Sequence, residues 1–423
     1  MQEVKTIAKK IEKIGKKTYI VGGYNRDILL GLPAGDIDLS TDATLDEVKS
    51  ALKVVGEIGK KYGTLIVNEN RKIFEITTFR EDIGSINNRK PAKVIFTQNI
   101  QKDASRRDFT INAIYYNILE KKYINPVGGI EDLENKKINF IGKTIDRIDE
   151  DALRILRFIR FKNKYNLEAK QEDFEIISEK ISLLKNISRE RIREEFDKIL
   201  LDKNNTSSLE DLKKIGFFNM FMPSIENMEK APGGKSGHQE GNVWIHTKMV
   251  IEELNKANIQ DICLYYTALY HDTGKVDTFY LDKKGEVHYP NHAEFSLNYF
   301  KTEKKNLIFS KKEEKRIQFL IENHDKIYRL DRLELAEAIK FVMHKYFPDL
   351  LILMKADSYG KIPVNTKKFN ERLEFIDKLI SASKKVKLLT GSDIIKKYPN
   401  LKGGEIGKKL KGENNKILNN IEL

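Results

Sequence analysis

Cysteine is almost missing from this chain, and its absence removes several classes of protein at once. Cys263 stands alone among 423 residues, so there is no internal disulfide framework and no multi-cysteine zinc site, and a reducing cytoplasm is the expected setting. Tryptophan occurs once and proline nine times; a proline-rich linker or fibrous chain is excluded. No apolar run approaches the roughly 20 residues a membrane span needs. The opening MQEVKTIAKKIEKIGKK is basic but has no apolar stretch of the kind a secretory signal carries.

What is present is charge. Lys and Arg number 76 against 63 Asp and Glu, for a formal net charge of +13. A basic surface attracts polyphosphates and nucleic acid. The length predicts two to four domains. Up to about residue 130, short apolar strands (Thr18–Gly22, Ile37–Leu39, Leu65–Asn68, Lys72–Phe79, Val94–Phe96) alternate with amphipathic stretches. From about 145 the periodicity turns helical. Ala231-Pro-Gly-Gly-Lys-Ser-Gly237 is the clearest linker. Helical patterns continue beyond it to the lysine-rich tail. Every histidine lies at or after His238.

In the first part, YIVGGYNRD (residues 19–27) reads as strand, tight turn and helix start. Gly22 and Gly23 let backbone N–H groups approach a ligand, the helix offers its positive end, and Arg26 adds a cation, which together make a phosphate cradle. GDIDL (35–39) places Asp36 and Asp38 two apart. On a strand both would face one side with Ile37 toward the core. Paired carboxylates repel unless a cation lies between them, and oxygen ligands suit Mg²⁺. Glu75, on another strand candidate, would either add a third carboxylate beside the metals or stand on an exposed face.

The combination resembles the nucleotidyltransferase superfamily, in the class II branch that holds bacterial CCA-adding enzymes and poly(A) polymerases. RRDFTINA (106–113) resembles the branch's ribose- and phosphate-contacting motif, EDALRILRFIR (150–160) its nucleotide-selecting motif, and SRERIREE (188–195) the next helical one. The likeness covers roughly residues 18–200. It departs at Asn25, where the family has valine. It implies that Asp36 and Asp38 hold Mg²⁺, that Gly23, Arg26 and Arg107 cradle the triphosphate, and that Asp108 fixes the ribose. Asp151 and Arg154 would select the base, with Arg157 and Arg160 assisting. Read as one helix, residues 150–160 put Asp151 and Arg154 one turn apart, opposite an apolar face of Ala152, Ile155, Leu156 and Ile159. The Watson–Crick edges of cytosine and adenine both pair an amino donor with a ring-nitrogen acceptor. An aspartate and an arginine match both, and uracil or guanine would leave buried groups unpaired. The segment REDIGSINNRKP (80–91) reads as the branch's full-length flexible loop, which favours complete CCA addition over addition of CC alone. It lacks the acidic and aromatic residues usual there.

After the linker come GNVWIH (241–246), ALYHDTGK (268–275), His292, His324 and KADS (355–358). Imidazole and carboxylate ligate divalent metals. His246, His271, Asp272 and Asp357 resemble the H…HD…D pattern of HD-type metal-dependent phosphohydrolases, and His292 and His324 would complete a second metal site. Imidazole ligands favour Mn²⁺, Co²⁺ or Ni²⁺ there. His238, His288 and His344 match no motif position. LTGSDII (389–395) and GGEIGKKL (403–410) resemble the C-terminal segment that helps hold the tRNA acceptor arm.

The expected fold class is α+β: a nucleotidyltransferase α/β head with a mixed sheet (1–135), an all-α neck that binds nucleotide and RNA (136–230), an HD domain (238–345), and a helical tail (346–423). The expected activity is template-independent addition of CTP and then ATP to the 3′ end of tRNA, by a monomer or homodimer free of membranes, with a second, hydrolytic activity in the HD domain. A poly(A) polymerase or A-adding enzyme is one alternative. A nucleotide or cyclic-phosphate hydrolase is another.

Overall fold

The computed structural model describes residues 1–235, 238–419 and 421; Ser236 and Gly237 of the expected linker lie outside the described residues. The chain divides into two compact units, Met1–Phe217 and Phe218–Leu423.

In the first unit, strands β1 (Thr18–Val21), β2 (Asp38–Thr41), β3 (Val54–Ile58), β4 (Thr64–Glu69), β5 (Lys72–Thr78), β8 (Tyr115–Asn117) and β9 (Lys122–Ile124) form one sheet in the order β3-β4-β5-β2-β1-β8-β9. Only β2 and β5 run parallel, so the sheet is mixed, as expected. Strands β6 (Arg80–Ile86) and β7 (Lys90–Phe96) make a separate hairpin. The central strand β1 is buried throughout, because period-two alternation sends its side chains into two cores. Ile20 joins Leu39, Leu65, Val67 and Ile76 under helices α1 (Gln2–Glu12) and α3 (Leu45–Ala51). Tyr19 and Val21 join Phe79, Ala104, Ala113 and Tyr115 on the other face. The first core includes Val4, Ile7 and Ile11 of α1, an i, i+3, i+7 stripe.

Helix α2 (Gly23–Leu29) leaves the end of β1 through Gly22, whose φ of 80° is open to glycine at little cost. The family's valine position explains itself here. Asn25 is buried and its amide donates to the carbonyls of Ile20 and Ile114, both at 2.8 Å, tying the turn to β1 and to the residue before β8. Further helices are α4 (Ile100–Ser105), α5 (Gly129–Glu134), α6 (Thr144–Glu150), α7 (Arg154–Lys164), α8 (Gln171–Lys180), α9 (Arg189–Leu200) and α10 (Asn205–Lys214).

The structure differs from the sequence reading in three places. Asp36 is not on a strand: β2 begins at Asp38, where pairing with Val21 starts, and Asp36 lies in the exposed stretch before it. Residues 80–91 are a hairpin, not an irregular loop. The 150–160 helix is broken: α6 ends at Glu150, Asp151 is extended (φ −146°, ψ 103°), and α7 begins only at Arg154.

The second unit is almost entirely helical. Helices Val243–Lys256, Ile262–Tyr270, His292–Glu303, Lys311–Asn323 and Phe347–Tyr359 surround a core that includes Trp244, Tyr265, Tyr266 and Phe300. A two-stranded ribbon, Tyr280–Leu281 with Val287–His288, interrupts them. Thr366–Lys384, Gly391–Lys397 and Gly404–Asn419 make up the tail. Thr390 caps the second of these with a reciprocal bond to Asp393.

Candidate functional site

The first unit gathers its motif residues around the turn at Gly22. A side chain placed there would come within 4.0 Å of both Arg107 Nη1 and Asp38 Oδ2, so the glycine turn, the strand aspartate and the second motif face one another. Glu75 stands beside Asp38 in the parallel β2–β5 register, and register partners project to the same side of a sheet. Loss of solvation, then the charges of Glu75 and Asp36, push Asp38 up from the ordinary aspartate range, only partly offset by Arg107. Three acids at one place, one with ionisation disfavoured, fit a divalent oxygen-seeking cation.

Arg106 and Arg107 both hang on Asp103, which is fully buried. Arg106 reaches Oδ1 at 2.7 Å, Arg107 reaches Oδ2 at 3.2 Å, and the Tyr115 hydroxyl donates to Oδ2 at 2.7 Å. Burial raises the Asp103 pKa, but the two guanidiniums and the hydroxyl outweigh it and hold it at about 2. The sequence reading missed Asp103. Its position three and four residues before the paired arginines, on one helix face, was the available signal.

Asp108 accepts from the Phe109 amide at 2.8 Å, from Asn112 at 3.0 Å, and from Arg157 at 2.5 and 2.8 Å. Against burial, Arg157 and Asn112 bring it to about 2. This ion pair joins the second motif to the selector segment. Arg107, Asp108, Asp151, Arg154 and Arg157 line one cavity of about 410 Å³, together with Tyr62, Arg80, Arg89 and Glu150. Asp151 and Arg154 reach it from either side of the helix break. Asp151 Oδ2 meets Arg191 of α9 at 2.8 Å. Arg154 bonds Glu150 at 2.7 Å and the carbonyls of Arg147 and Arg106 at 3.0 and 2.9 Å.

Gly23, Asp36 and Asp38 are not among the residues that line this cavity, and neither are Arg26 and Arg160. Arg26 is buried and four of its five N–H donors are engaged: it donates to Asp27 at 2.8–2.9 Å, to Asn112 at 2.6 Å and to the Tyr165 hydroxyl at 2.5 Å. Arg160 bonds Glu195 at 2.5 Å and lies over the Phe161 ring.

The break in the selector segment has a visible cause. The Ala152 amide donates to the Asn88 carbonyl at 2.9 Å, and the Asn88 side-chain amide donates to the Asp149 carbonyl at 2.7 Å. The Ser85 hydroxyl donates to the Glu150 carbonyl at 2.8 Å. The hairpin tip thus supplies partners to backbone groups that a continuous helix would satisfy internally.

In the second unit, Asp272 lies among the histidines. Its carboxylate oxygens are 3.3 Å from His271 Nε2, 3.5 Å from His246 Nε2, and 3.4 Å from Nε2 of both His292 and His324. Asp357 Oδ1 is 3.0 Å from His246 Nε2. Sets close enough to share one ion are His246, His271 and Asp357; Asp272, His292 and His324; and His238, Glu240 and His246. The Nδ1 atoms of the four ligand-type histidines face backbone carbonyls of Gly360, Ala268, Tyr289 and Ile321 at 2.7–2.9 Å. Carbonyls only accept, so each Nδ1 donates to one, and Nε2 is the atom each ring turns to the cluster, where it would ligate a metal as neutral imidazole. Nε2 of His246 and of His271 is buried without a hydrogen-bond partner, and Nε2 of His292 and His324 are 3.0 Å apart. Facing lone pairs are unfavourable without a cation, so the cluster fits one or two metal ions. Against burial, Asp357 and Glu240 pull His246 up to about 9, whereas burial pushes His292 down to about 4.

Gly274 makes this assembly feasible. A Cβ there would lie 2.2 Å from the His292 carbonyl oxygen and 2.6 Å from the Ser296 nitrogen, so only glycine lets helix His292–Glu303 close on the His271–Asp272 turn. The sequence reading missed Glu240, which meets Nδ1 of both His238 and His246 at 3.0 Å. It also gave His238 no role, although the ring stacks edge-on against His246. Exposed His288 pairs with Asp282 and His344 stacks on Phe319.

Residues 18–139 match the family model of the poly A polymerase head domain, and residues 170–229 that of the probable RNA and SrmB-binding site of polymerase A. The chain is 35% identical over 228 residues to the CCA-adding enzyme of Staphylococcus epidermidis, covering 54% of this chain and 56% of that protein. Likewise it is 38% identical over 210 residues to the CCA-adding enzyme of Lactobacillus delbrueckii, covering 50% and 53%. The chain thus spans just over half the length of the curated relatives it matches. Among solved structures, the Bacillus stearothermophilus CCA-adding enzyme in complex with CTP superposes with a TM-score of 0.67, covering 99% of this chain and 92% of that one at 21% identity. The Thermotoga maritima CCA-adding enzyme complexed with tRNA gives 0.61, covering 98% and 90% at 19% identity; both show a shared fold. Over its N-terminal half this chain is thus similar in sequence to the poly A polymerase head domain and to CCA-adding enzymes, and it shares their fold.

Proposed function

We propose that the protein completes the 3′ end of tRNA by adding CTP-derived and then ATP-derived nucleotides without a nucleic-acid template. The observation that carries this reading is the single cavity shared by Arg107, Asp108, Asp151, Arg154 and Arg157. Residues 1–135 act as the transferase head and 136–230 as the neck. The tRNA 3′-hydroxyl attacks the α-phosphate, the bond to the β-phosphate breaks, and pyrophosphate leaves. Asp38, with Asp36 and Glu75, would hold Mg²⁺, which when bound supplies Lewis acidity to the phosphates and the attacking hydroxyl. Arg107 and the amide of Gly23 hold the triphosphate, and Asp108 accepts from the ribose while Arg157 orients it. Arg26 and Arg160 support the site from behind, one through Asp27 and Tyr165, the other through Glu195. Asp151 accepts from the base amino group and Arg154 donates to the ring nitrogen, a pattern open to C and A and closed to U and G.

The deciding assay uses tRNA lacking CCA with CTP alone, ATP alone, or both. Extension by CTP alone, and use of ATP only after CTP, is the expected result. Repeated A addition with ATP alone would instead identify a poly(A) polymerase or A-adding enzyme.

The histidine cluster favours a second activity. Residues 238–345, completed by Asp357 from the tail segment, act as an HD-type phosphohydrolase. His246, His271, Asp272 and Asp357 would hold one metal and His292 and His324 help hold a second, with Mn²⁺, Co²⁺ or Ni²⁺ preferred over Mg²⁺. Its substrates are phosphate esters or cyclic phosphates. Metal analysis of the purified protein, with hydrolysis of a 2′,3′-cyclic nucleotide across these metals, tests it.

A further inference from the structure

The histidine cluster opens into a cavity of about 540 Å³ that is unusually rich in cations. Two are neutralised within the protein: Lys275 pairs with Asp272 and Arg329 with Asp325, both at 2.5 Å. Four others that line it, Arg332, Lys361, Lys368 and Arg372, have no ion-pair partner among the described residues.

Two of these four are placed by more than surface chance. Lys361 and Arg372 are half-buried and lie 5.5 and 5.0 Å from the centre of the Tyr328 ring. The Tyr328 hydroxyl donates to Asp357 at 2.5 Å and meets Ser358 at 3.0 Å. The two cations are therefore one tyrosine away from a carboxylate of the cluster. Neither cation is at ion-pair distance from an anion among the described residues, although Lys361 acts on Asp357 from farther off; each has lost solvation, and the ring face compensates only part of it. A lysine-rich chain scatters lone lysines over its surface. It does not by itself set a lysine and an arginine on one ring at the edge of a histidine cluster.

We propose that this cavity takes a phosphate ester carrying a second phosphate group, with the ester to be hydrolysed at the His–Asp cluster and the second phosphate on Arg372 and Lys361, backed by Arg332 and Lys368. The proposal rests on the hydrolase reading above. In the reaction, water adds to phosphorus, the ester P–O bond breaks, and the leaving oxygen takes up a proton from that water. Tyr328 bonds Asp357 through its hydroxyl and has Lys361 and Arg372 over its ring, so a second phosphate on these cations would leave the cluster to the ester. Guanidinium and ammonium donors at a phosphate are charge-assisted and strong. Two sources have this chemistry: a free nucleoside bisphosphate, and an RNA end whose terminal phosphate follows a phosphodiester.

The test is equilibrium binding by calorimetry to the full chain after chelation of metals. The probes are adenosine 3′-monophosphate, adenosine 3′,5′-bisphosphate and the dinucleotide ApAp. Wild type is compared with the double variant Lys361→Ala/Arg372→Ala. Nucleotide binding at the head is common to both proteins and leaves the comparison unchanged. In wild type, at least one two-phosphate probe should bind about 10–100-fold more tightly than the monophosphate. In the variant the ratio should fall to within about threefold, as expected for the loss of two charge-assisted contacts. A tighter bisphosphate points to free nucleotides, a tighter ApAp to RNA ends. A wild-type ratio near one, or a ratio that survives the double variant, overturns the proposal. Metal content and Mn²⁺-supported hydrolysis of the same probes are measured in parallel. If the ratio holds but the protein neither retains metal nor hydrolyses them, it is the hydrolase reading that falls, and the substrate assignment goes with it.

Discussion

The backbone carbonyl of Asn88, at the tip of the β6–β7 hairpin, accepts the amide hydrogen of Ala152 at 2.9 Å, between Asp151 and Arg154, the two residues proposed to select the base. Segments more than 60 residues apart in sequence are thereby coupled. The hairpin holds open the break that lets Asp151 and Arg154 approach the same cavity.

Asn88→Gly keeps the backbone at its φ of 51°, which glycine tolerates, and removes the side-chain bond to Asp149. We expect the A-addition step to slow by about 10-fold, as one well-placed hydrogen bond is worth about 1–1.5 kcal/mol. C addition should change less. Single-turnover rates on tRNA ending in C and CC measure this, and equal effects on both steps would remove the hairpin from the C-to-A switch.

Asp38→Asn should abolish transfer and leave tRNA affinity nearly unchanged, because basic surface holds the RNA. It should also raise the unfolding midpoint in metal-free buffer. The folded-state pKa of Asp38 is raised, so its ionisation costs stability as pH climbs above the unfolded value of about 3.9. The advantage of asparagine should therefore be absent at pH 3 and present at pH 7. An unchanged midpoint at pH 7 would contradict the crowding of Asp38, Glu75 and Asp36.

Asp151→Ala removes the acceptor proposed for the base amino group and takes the ion-pair partner from Arg191. Preference for CTP over UTP should fall roughly 10–100-fold. Competition between the two nucleotides on one tRNA reads it directly, and an unaltered preference would move base choice to other residues of the cavity.

His271→Ala should lower bound transition metal and leave CCA addition largely intact. Glu240→Ala should weaken metal binding by about 10-fold or more, as loss of a partner that orients a ligand histidine does. Chelator competition measures both. A Glu240 variant with wild-type metal affinity would show that the Gly360 carbonyl alone suffices to orient His246.

The difference in unfolding free energy between wild type and Asp103→Asn should depend on acid. Asp103 is held at about 2 against an ordinary 3.8, so its contribution is complete above about pH 4 and is lost as pH falls toward 2. The difference should shrink by on the order of 2 kcal/mol between pH 5 and pH 2. A pH-independent difference would mean that packing, not charge, makes Asp103 important.

Local spacing determined much of this protein before any fold was known. Alternation located β1, β4 and β5, because one residue in two must face a core. Gly22 and the run from Gly35 to Leu39 marked the turn and the carboxylates, since their chemistry is carried by neighbouring residues. The metal-ligand types were legible in His271, Asp272 and the scattered histidines for the same reason. Tertiary structure decided whatever depended on partners remote in sequence. Helical periodicity through 150–160 was sound as a pattern, but the Ala152 amide bonds to Asn88 instead of completing a helical turn. Arg26 carries the charge of a phosphate ligand, yet Asp27, Asn112 and Tyr165 take four of its five N–H donors. Glu240 is two residues from His238 and six from His246, and only the fold brings it to both rings. A sequence states which donors and acceptors exist; which of them remain free for a ligand is set by long-range hydrogen bonds that no local period records.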